Sequence, residues 1–418
     1  MSRRGTVRVP GDKSISHRAL ILAALATGES RLEGILQSAD VRSTASVLRL
    51  LGANVPELSS AMVVPGKGLR GLTVSPSPLY AGNSGTTVRL MTGVVAASPF
   101  TSRFEGDASL SRRPMKRLAD PLTAMGARFE FAFDDGLPMT VHGGRLSGIS
   151  WNTRAASAQT KSAILLAGLV AGVPVSVREA GRSRDHTERM LVSIGVPVRT
   201  DGLSVSLVPV DSLSPLEMTI PGDPSSAAYL VALGILGKRE VAVPEVCLNA
   251  TRTGFFSLLR EMNADIECVD RIAIAGDVAA TVIARPSRLS SAALSEPDIP
   301  AIIDELPLVG CVAAAAGVEL EVRNAGELRV KESDRISVLV SNLNAIGVRA
   351  DELPDGFRVH RRRRSPLSGR VVTHGDHRIA MAFGVLAALS PNRIEIDDPR
   401  CVEVSYPGFW SDLETLKT

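Results

Sequence analysis

Six times along the chain, a short polar stretch rich in Gly, Ser, Thr or Asp leads into an apolar run of helical length. The openings are Gly11–Ser14, Gly82–Thr86, Ser157–Thr160, Gly222–Ser226, Asp304-Glu305 and Gly375–His377. The runs that follow are Ala19–Ala26, Val88–Ala97, Ala163–Val170, Ala227–Leu236, Leu306–Ala316 and Ile379–Leu389. Each unit carries a second helical pattern, at Ser43–Leu51, Arg117–Met125, Glu188–Ile194, Phe255–Met262, Ile336–Ile346 and Phe409–Leu416. In the first five, a Gly or Asn stands just past the helix (Gly52, Gly126, Gly195, Asn263, Gly347), the signal of a left-handed C-cap. Alternating stretches such as Arg128-Phe129-Glu130-Phe131 follow these caps and read as strands. A period of about 70 residues is too long for a solenoid. The pattern predicts an α/β fold of six βαβαββ-type units, three to a domain.

Composition narrows the function. A length of 418 residues fits two or three domains. Lys plus Arg number 47 and Asp plus Glu 44, so the formal net charge of +3 excludes a strongly basic nucleic-acid coat and an acidic disordered tail. Aromatics make up only 4%, which predicts an aliphatic core and argues against platforms for stacking single-stranded bases. No apolar run nears the ~20 residues of a membrane span. The stretch Met1–Pro10 lacks the apolar segment of a signal peptide. Cys247, Cys268, Cys311 and Cys401 are scattered, which predicts buried, reduced thiols in a cytoplasmic protein. No HExxH, CxxC or EF-hand pattern occurs, so no metal site is expected.

The chemistry follows from the helix starts. A helix N-terminus carries unpaired N–H groups and partial positive charge, and polar openings leave it accessible to anions. Lys13-Ser14-x-x-His17-Arg18 opens the first helix; it is not a nucleotide P-loop, because Asp12 stands where that motif needs Gly. Asn83-Ser84-Gly85-Thr86-Thr87-x-Arg89 opens the second, and Gly85 permits close backbone approach to a ligand. Arg112-Arg113-Pro114 reads as a routine helix start, and in Arg182–Glu188 either Asp185 or Thr187 is a candidate cap. Arg329–Arg335 mixes cations with carboxylates before an amphipathic helix. Either Ser333-Asp334 is a plain N-cap within a surface lace of charges, or Glu332, set between Lys331 and Arg335, is a tuned acid/base group. Asp376-His377-Arg378 opens the sixth unit. The run Arg361–Arg364 reads as the charged edge of an exposed hairpin rather than a nucleic-acid contact, since no aromatics flank it.

Taken in order, Pro10–Arg18, Gly82–Thr86, Gly106-Asp107 through Pro114, Ser157–Ser162, Arg184–Glu188, Gly222–Ala227, Arg329–Arg335 and Asp376–Met381 resemble the enolpyruvyl transferases, in the branch whose acceptor is shikimate 3-phosphate. The resemblance covers essentially the whole chain. It implies two inside-out α/β domains of three repeats each: residues 13–222 on the shikimate 3-phosphate side, and residues 1–12 with 223–418 completing the phosphoenolpyruvate site. The active site would lie in the interdomain cleft and close on its anionic ligands. The implied reaction transfers the enolpyruvyl group of phosphoenolpyruvate to the 5-hydroxyl of shikimate 3-phosphate through a tetrahedral intermediate, with loss of phosphate. It belongs to the shikimate pathway, toward chorismate and the aromatic amino acids, and needs no metal or organic cofactor.

Carried over, Lys13, Ser14, Arg18, Ser157, Ala158, Gln159, Arg184, Asp304 and Lys331 would bind shikimate 3-phosphate. Lys13, Gly85, Arg113, Gln159, Arg335 and Arg378 would hold phosphoenolpyruvate. Asp304 would act as base toward the hydroxyl with Lys13 beside it, and Glu332 would exchange the proton at C3; His377 is a neighbour. Val404 replaces a phosphoenolpyruvate-binding Lys of many members, and Leu90 replaces a Pro, whereas Gly85 is the residue that leaves room for the inhibitor glyphosate. Glyphosate is expected to compete with phosphoenolpyruvate. A cytoplasmic monomer is expected, with neither nucleic acid nor membrane as partner. The sister branch, which acts on UDP-N-acetylglucosamine, typically has a reactive Cys in the loop matching Ser109–Arg113, and this chain has none there. A non-enzymatic anion or nucleic-acid binder using Arg361–Arg364 is the remaining alternative.

Overall fold

The polar openings become helix N-caps. Side chains of Asp12, Ser84, Ser157, Asp223 and Asp376 each accept a hydrogen bond from an amide of the first turn, leaving fewer orphan donors there. The helices they start are Lys13–Leu25, Gly85–Ala96, Ala158–Ala171, Pro224–Leu236 and His377–Ala388; Leu306–Ala316 starts after Glu305 without a side-chain cap. These six are buried almost along their whole length and on every side, as uniformly apolar helices must be. The second helix of each unit buries only one stripe: Ala39–Leu50, Lys116–Met125, His186–Ser193, Gly254–Glu261, Arg335–Ala345 and Phe409–Leu416. Gly52, Gly126, Gly195, Asn263 and Gly347 all have positive φ, between 72° and 121°, as the C-cap signal requires.

The computed structural model describes residues 5–274, 276–294 and 299–417. It divides into two units. One holds Gly11–Ile220 with Ile274–Gly276; the other holds Met1–Pro10, Pro221–Ala273 and Asp277–Thr418. In each, three buried helices form the core and small sheets lie outside them, the inverse of the usual sheet core with helices outside. The Gly85–Ala96 and Ala158–Ala171 helices cross so closely that a methyl group on Gly93 would sit 2.3 Å from the Ala163 carbonyl.

Each unit of the repeat has its own sheet. Four sheets share one order: a parallel edge pair, then an antiparallel hairpin; in three of them the pair flanks the core helix in sequence. In the second unit these strands are Leu79–Tyr80, Thr101–Glu105, Met139–His142 and Arg128–Phe131. The first sheet has three strands and the sixth, Ser368–Val371 with Arg393–Ile396, has two among the described residues, so the full βαβαββ pattern holds for four units. The edge strands of two units come from far along the chain. Glu217–Thr219 pairs parallel with Glu29–Glu33, and Gly5–Thr6 pairs parallel with Val241-Ala242.

Two expectations are corrected here. Arg361–Arg364 is not a hairpin edge, since the strands on either side, Gly356–Val359 and Ser368–Val371, belong to different sheets. Arg362 and Arg364 instead donate to the Ala314 and Ala316 carbonyls, where cations favour the negative end of the Leu306–Ala316 helix. All four cysteines are free, but only Cys247 and Cys311 are buried; Cys268 and Cys401 are partly exposed.

Candidate active site

In the unit built on residues 11–220, the first turns of the three core helices are tied together by side chains. Arg18 of the first helix donates through Nη2 to Ser162 Oγ of the third (3.0 Å) and through Nε to Thr187 Oγ1 (2.6 Å). Arg89 of the second donates to Gln159 Oε1 of the third (2.7 Å), and Gln159 Nε2 donates to Thr86 Oγ1 (3.0 Å). His17 Nδ1 meets Thr44 Oγ1 at 2.7 Å, Thr44 meets Thr87, and Thr87 donates to Ser84 Oγ. Burial first, then the charges of Lys13 and Arg18, hold the His17 pKa well below 6.5, so this ring works as a neutral strut.

Three positive helix ends therefore open at one pole of this unit, with Lys13, Arg18, Arg89, Arg113 and Arg184 around them. Lys13 Nζ lies 3.0 Å from Asp40 Oδ2. Arg184 Nη1 reaches Ser14 Oγ at 3.4 Å, and Arg18 Nη1 donates to the Ser14 carbonyl. Arg113 donates to Asn83 Oδ1, whose amide in turn donates to Asp107. Gly85 begins its helix beneath two of these guanidiniums: a Cβ there would stand 2.9 Å from Arg89 Nη1 and 3.3 Å from Arg113 Nη1. Ser157 caps the third helix, and the Ala158 carbonyl accepts from Ser162 Oγ. Such a pole is suited to phosphate and carboxylate groups.

The other unit gathers its core-helix starts in the same way but with mixed charge. Arg335, 1% exposed, is the hub. Its Nε donates to Asp376 Oδ2 (2.8 Å), its Nη2 to Glu332 Oε2 (2.5 Å) and its Nη1 to Asp304 Oδ1 (3.4 Å). Lys331 Nζ lies 3.7 Å from the same Asp304 oxygen, and Ser333 Oγ donates to Asp376. Burial opposes charge on Arg335, yet Asp376, Glu332 and Asp304 outweigh it and raise its pKa above the ordinary arginine value. Deeper in, Ser225 Oγ donates to Glu305 Oε1, Arg252 donates to Asp223 Oδ1 (3.0 Å) and Ser225 Oγ (2.9 Å), and Arg378 Nη1 lies 3.9 Å from Glu305. Burial pushes the Glu305 carboxyl up, against the pull of Arg378. Burial pushes Tyr229, against the same arginine, up to about 12. His377 is buried one residue after the Asp376 cap.

The EPSP synthase (3-phosphoshikimate 1-carboxyvinyltransferase) family model matches residues 2–413. The chain belongs to the EPSP synthase family. A 3-phosphoshikimate 1-carboxyvinyltransferase of Alkalilimnicola ehrlichii is 45% identical over 409 residues, covering 97% of this chain and 92% of the relative. One from a Sulfurihydrogenibium species is 42% identical over 418 residues, covering 99% and 97%. A solved structure of EPSP synthase from Acinetobacter baumannii matches with a TM-score of 0.88 at 36% identity, over 100% of this chain and 96% of that one. The chain is thus a transferase of the shikimate pathway, with the family's mixed α/β fold, and the aminosugar branch is not favoured.

Each unit gathers its own share of the residues named from the sequence. Lys13, Ser14, Arg18, Gly85, Arg113, Ser157, Ala158, Gln159 and Arg184 lie at the helix pole of residues 11–220. Asp304, Lys331, Glu332, Arg335 and Arg378 lie around the Arg335 hub. The run Arg329–Arg335 divides: Asp334 caps its helix by accepting from Ser337, and Arg329 turns away to Asp334, Glu352 and two backbone carbonyls. Asp185 makes no side-chain cap, and Thr187 serves Arg18 instead. Sequence reasoning missed Asp40, Tyr229 and Arg252. Asp40 carries a weak local signal as an acid in a helix first turn; the other two sit in ordinary patterns and reach the site only by packing.

Proposed function

We propose that this chain transfers the enolpyruvyl group of phosphoenolpyruvate to the 5-hydroxyl of shikimate 3-phosphate and releases phosphate. The supporting observation is the pole of three helix N-termini, ringed by Lys13, Arg18, Arg89, Arg113 and Arg184, which matches substrates that together carry two phosphates and two carboxylates. In this reading Ser157, Ala158, Gln159, Arg18, Arg184, Ser14, Lys13 and Lys331 hold shikimate 3-phosphate. Gly85, Arg113, Gln159, Lys13, Arg335 and Arg378 hold phosphoenolpyruvate. The raised pKa values of Arg335 and Arg378 keep both fully charged at any working pH.

Asp304 takes the 5-hydroxyl proton as the oxygen bonds to C2 of phosphoenolpyruvate, while Glu332 delivers a proton to C3. The tetrahedral adduct then loses phosphate as Glu332 recovers a proton from C3, and the hydroxyl proton held by Asp304 leaves with the departing phosphate, which restores both carboxylates. The fixed geometry of both carboxylates around Arg335 supports these roles, since proton transfer demands groups held within hydrogen-bond reach. Glyphosate would compete for the phosphoenolpyruvate subsite, and the protein would act as a cytoplasmic monomer.

Release of inorganic phosphate from phosphoenolpyruvate is the direct test. It is expected only when shikimate 3-phosphate is present; release supported by UDP-N-acetylglucosamine instead would overturn the assignment. For the proton step, Glu332→Gln is expected to abolish exchange of the vinyl hydrogens with solvent while retaining shikimate 3-phosphate binding, and unchanged exchange removes Glu332 from that role.

A further inference from the structure

Below the pole of residues 11–220 lies a buried ionic group that none of the proposed substrate contacts uses. Lys161 is 1% exposed. Its Nζ lies 2.7 Å from Glu179 Oε2 and 2.6 Å from Glu188 Oε1, and both carboxylates are themselves buried. Surface ion pairs are cheap to make and contribute little. Three charges out of water are costly, and their arrangement is held only by close mutual pairing.

The three residues come from three different elements. Lys161 is in the first turn of the Ala158–Ala171 helix, Glu179 follows the strand Val175–Arg178, and Glu188 is in the first turn of the His186–Ser193 helix. Each stands next to a group that faces the pole. Lys161 lies between Gln159 and Ser162. The second oxygen of Glu179 accepts from Ser183, the neighbour of Arg184. Glu188 follows Thr187, which binds both Arg18 Nε and Ser162 Oγ. The segment from Glu179 to Asp185 has neither helix nor strand, so no backbone ladder fixes where Arg184 points.

We infer that Lys161, Glu179 and Glu188 form a positioning clamp that sets the Ser183–Asp185 loop and the first turn of the His186–Ser193 helix against the first turn of the Ala158–Ala171 helix, and so fixes Arg18 and Arg184 for the phosphorylated acceptor. The clamp touches no substrate in this reading; it acts through Ser183, Arg184 and Thr187. It rests on the function proposed above, because the acceptor is what Arg18 and Arg184 are assigned to bind. Gln159 is held separately, by Arg89 and Thr86, and so is the arginine pair above Gly85. The clamp therefore governs the acceptor and leaves the phosphoenolpyruvate subsite unaffected.

The test compares steady-state kinetics of Glu188→Gln, Glu179→Gln and Lys161→Arg in the full chain. Each glutamine variant keeps the side-chain shape and leaves Lys161 one carboxylate partner; Lys161→Arg keeps the charge. The KM for shikimate 3-phosphate is expected to rise about tenfold, equal to about 1.4 kcal/mol, in both glutamine variants. The KM for phosphoenolpyruvate and kcat are expected to stay within about twofold, and Lys161→Arg, which keeps a cation between the two carboxylates, to raise the KM for shikimate 3-phosphate less than either glutamine variant. Equal changes in both KM values, or no change in either, would overturn the clamp. A thermal scan on each variant separates this from unfolding, which lowers apparent kcat and spares KM. Failure of the function itself would look different: the unaltered chain would release no phosphate with shikimate 3-phosphate.

Discussion

Gly85 shows how one missing methyl group shapes a site. The two guanidiniums of Arg89 and Arg113 close over it, and a Cβ would stand 2.9 Å from one of them. Gly85→Ala must displace Arg89 or Arg113. The expected result is a KM for phosphoenolpyruvate raised several-fold, with glyphosate inhibition weakened at least as much and the KM for shikimate 3-phosphate unchanged; steady-state kinetics with each substrate varied in turn would decide it. His17 offers a pH prediction. Its folded pKa is depressed below 6.5, so its contribution to stability is present above pH 6.5 and is lost as pH falls toward the folded value. Over that window the unfolding free energy falls by up to about 1.4 kcal/mol per pH unit from this group alone. Urea titrations at pH 7.0 and 5.5 are expected to show a smaller drop in His17→Asn than in the unaltered chain. At this scale the sequence marks cations and carboxylates near helix starts but cannot say which of them meet. Lys331 and Arg335 turn inward to Asp304, and Glu332 to Arg335, while Arg329, of the same run, turns to the surface.

Among the elements, the helices were readable because two local signals agree on each: an apolar run and its caps. Asp12, Ser84 and Ser157 at the starts, and Gly52, Gly126 and Asn263 past the ends, do in three dimensions what their chemistry favours locally. Whether a helix is central or peripheral was also legible, since a helix apolar on every side cannot face water. Close packing between the central helices supplies a prediction. Gly93→Ala would drive a methyl group into the Ala163 backbone, and is expected to cost about 1–3 kcal/mol. Gly144→Ala, where a Cβ meets nothing within 4 Å, is expected to leave stability unchanged; urea denaturation of the pair measures the contrast. The strands were less legible. Edge strands of two or three residues, such as Gly5–Thr6 and Glu217–Thr219, carry too little pattern to announce their partners. The four-arginine run was misread because its target, the carbonyl end of the Leu306–Ala316 helix, lies more than forty positions away in sequence.

At the level of the whole molecule, the division into units follows from two borrowed strands. The strand of residues 217–219 completes the first repeat's sheet, and that of residues 5–6 completes the fourth repeat's sheet. Each unit therefore takes its closing strand from the chain just before a crossing. Val7 and Val9 are buried beside the N-terminal strand, and the Val7 amide donates to the Ala242 carbonyl. Removing residues 1–8 strips an edge from the Val241–Cys247 sheet along with a buried Val. It is expected to cost about 2–3 kcal/mol and to lower the unfolding midpoint by roughly 5–10 °C, seen by calorimetry.

The sequence by itself determined the six-fold repeat, the helices and most of their caps, the aliphatic core and which charged residues stand at helix starts, because each of these is written in neighbouring residues or in composition. Only the tertiary structure decided which charges share a site, which strand closes which sheet, and that Lys161, Glu179 and Glu188 lie together out of water. Those facts depend on residues far apart in the chain, and the pairing of a charge or a strand edge is settled by what packing brings within about 3 Å of it, which local pattern does not encode.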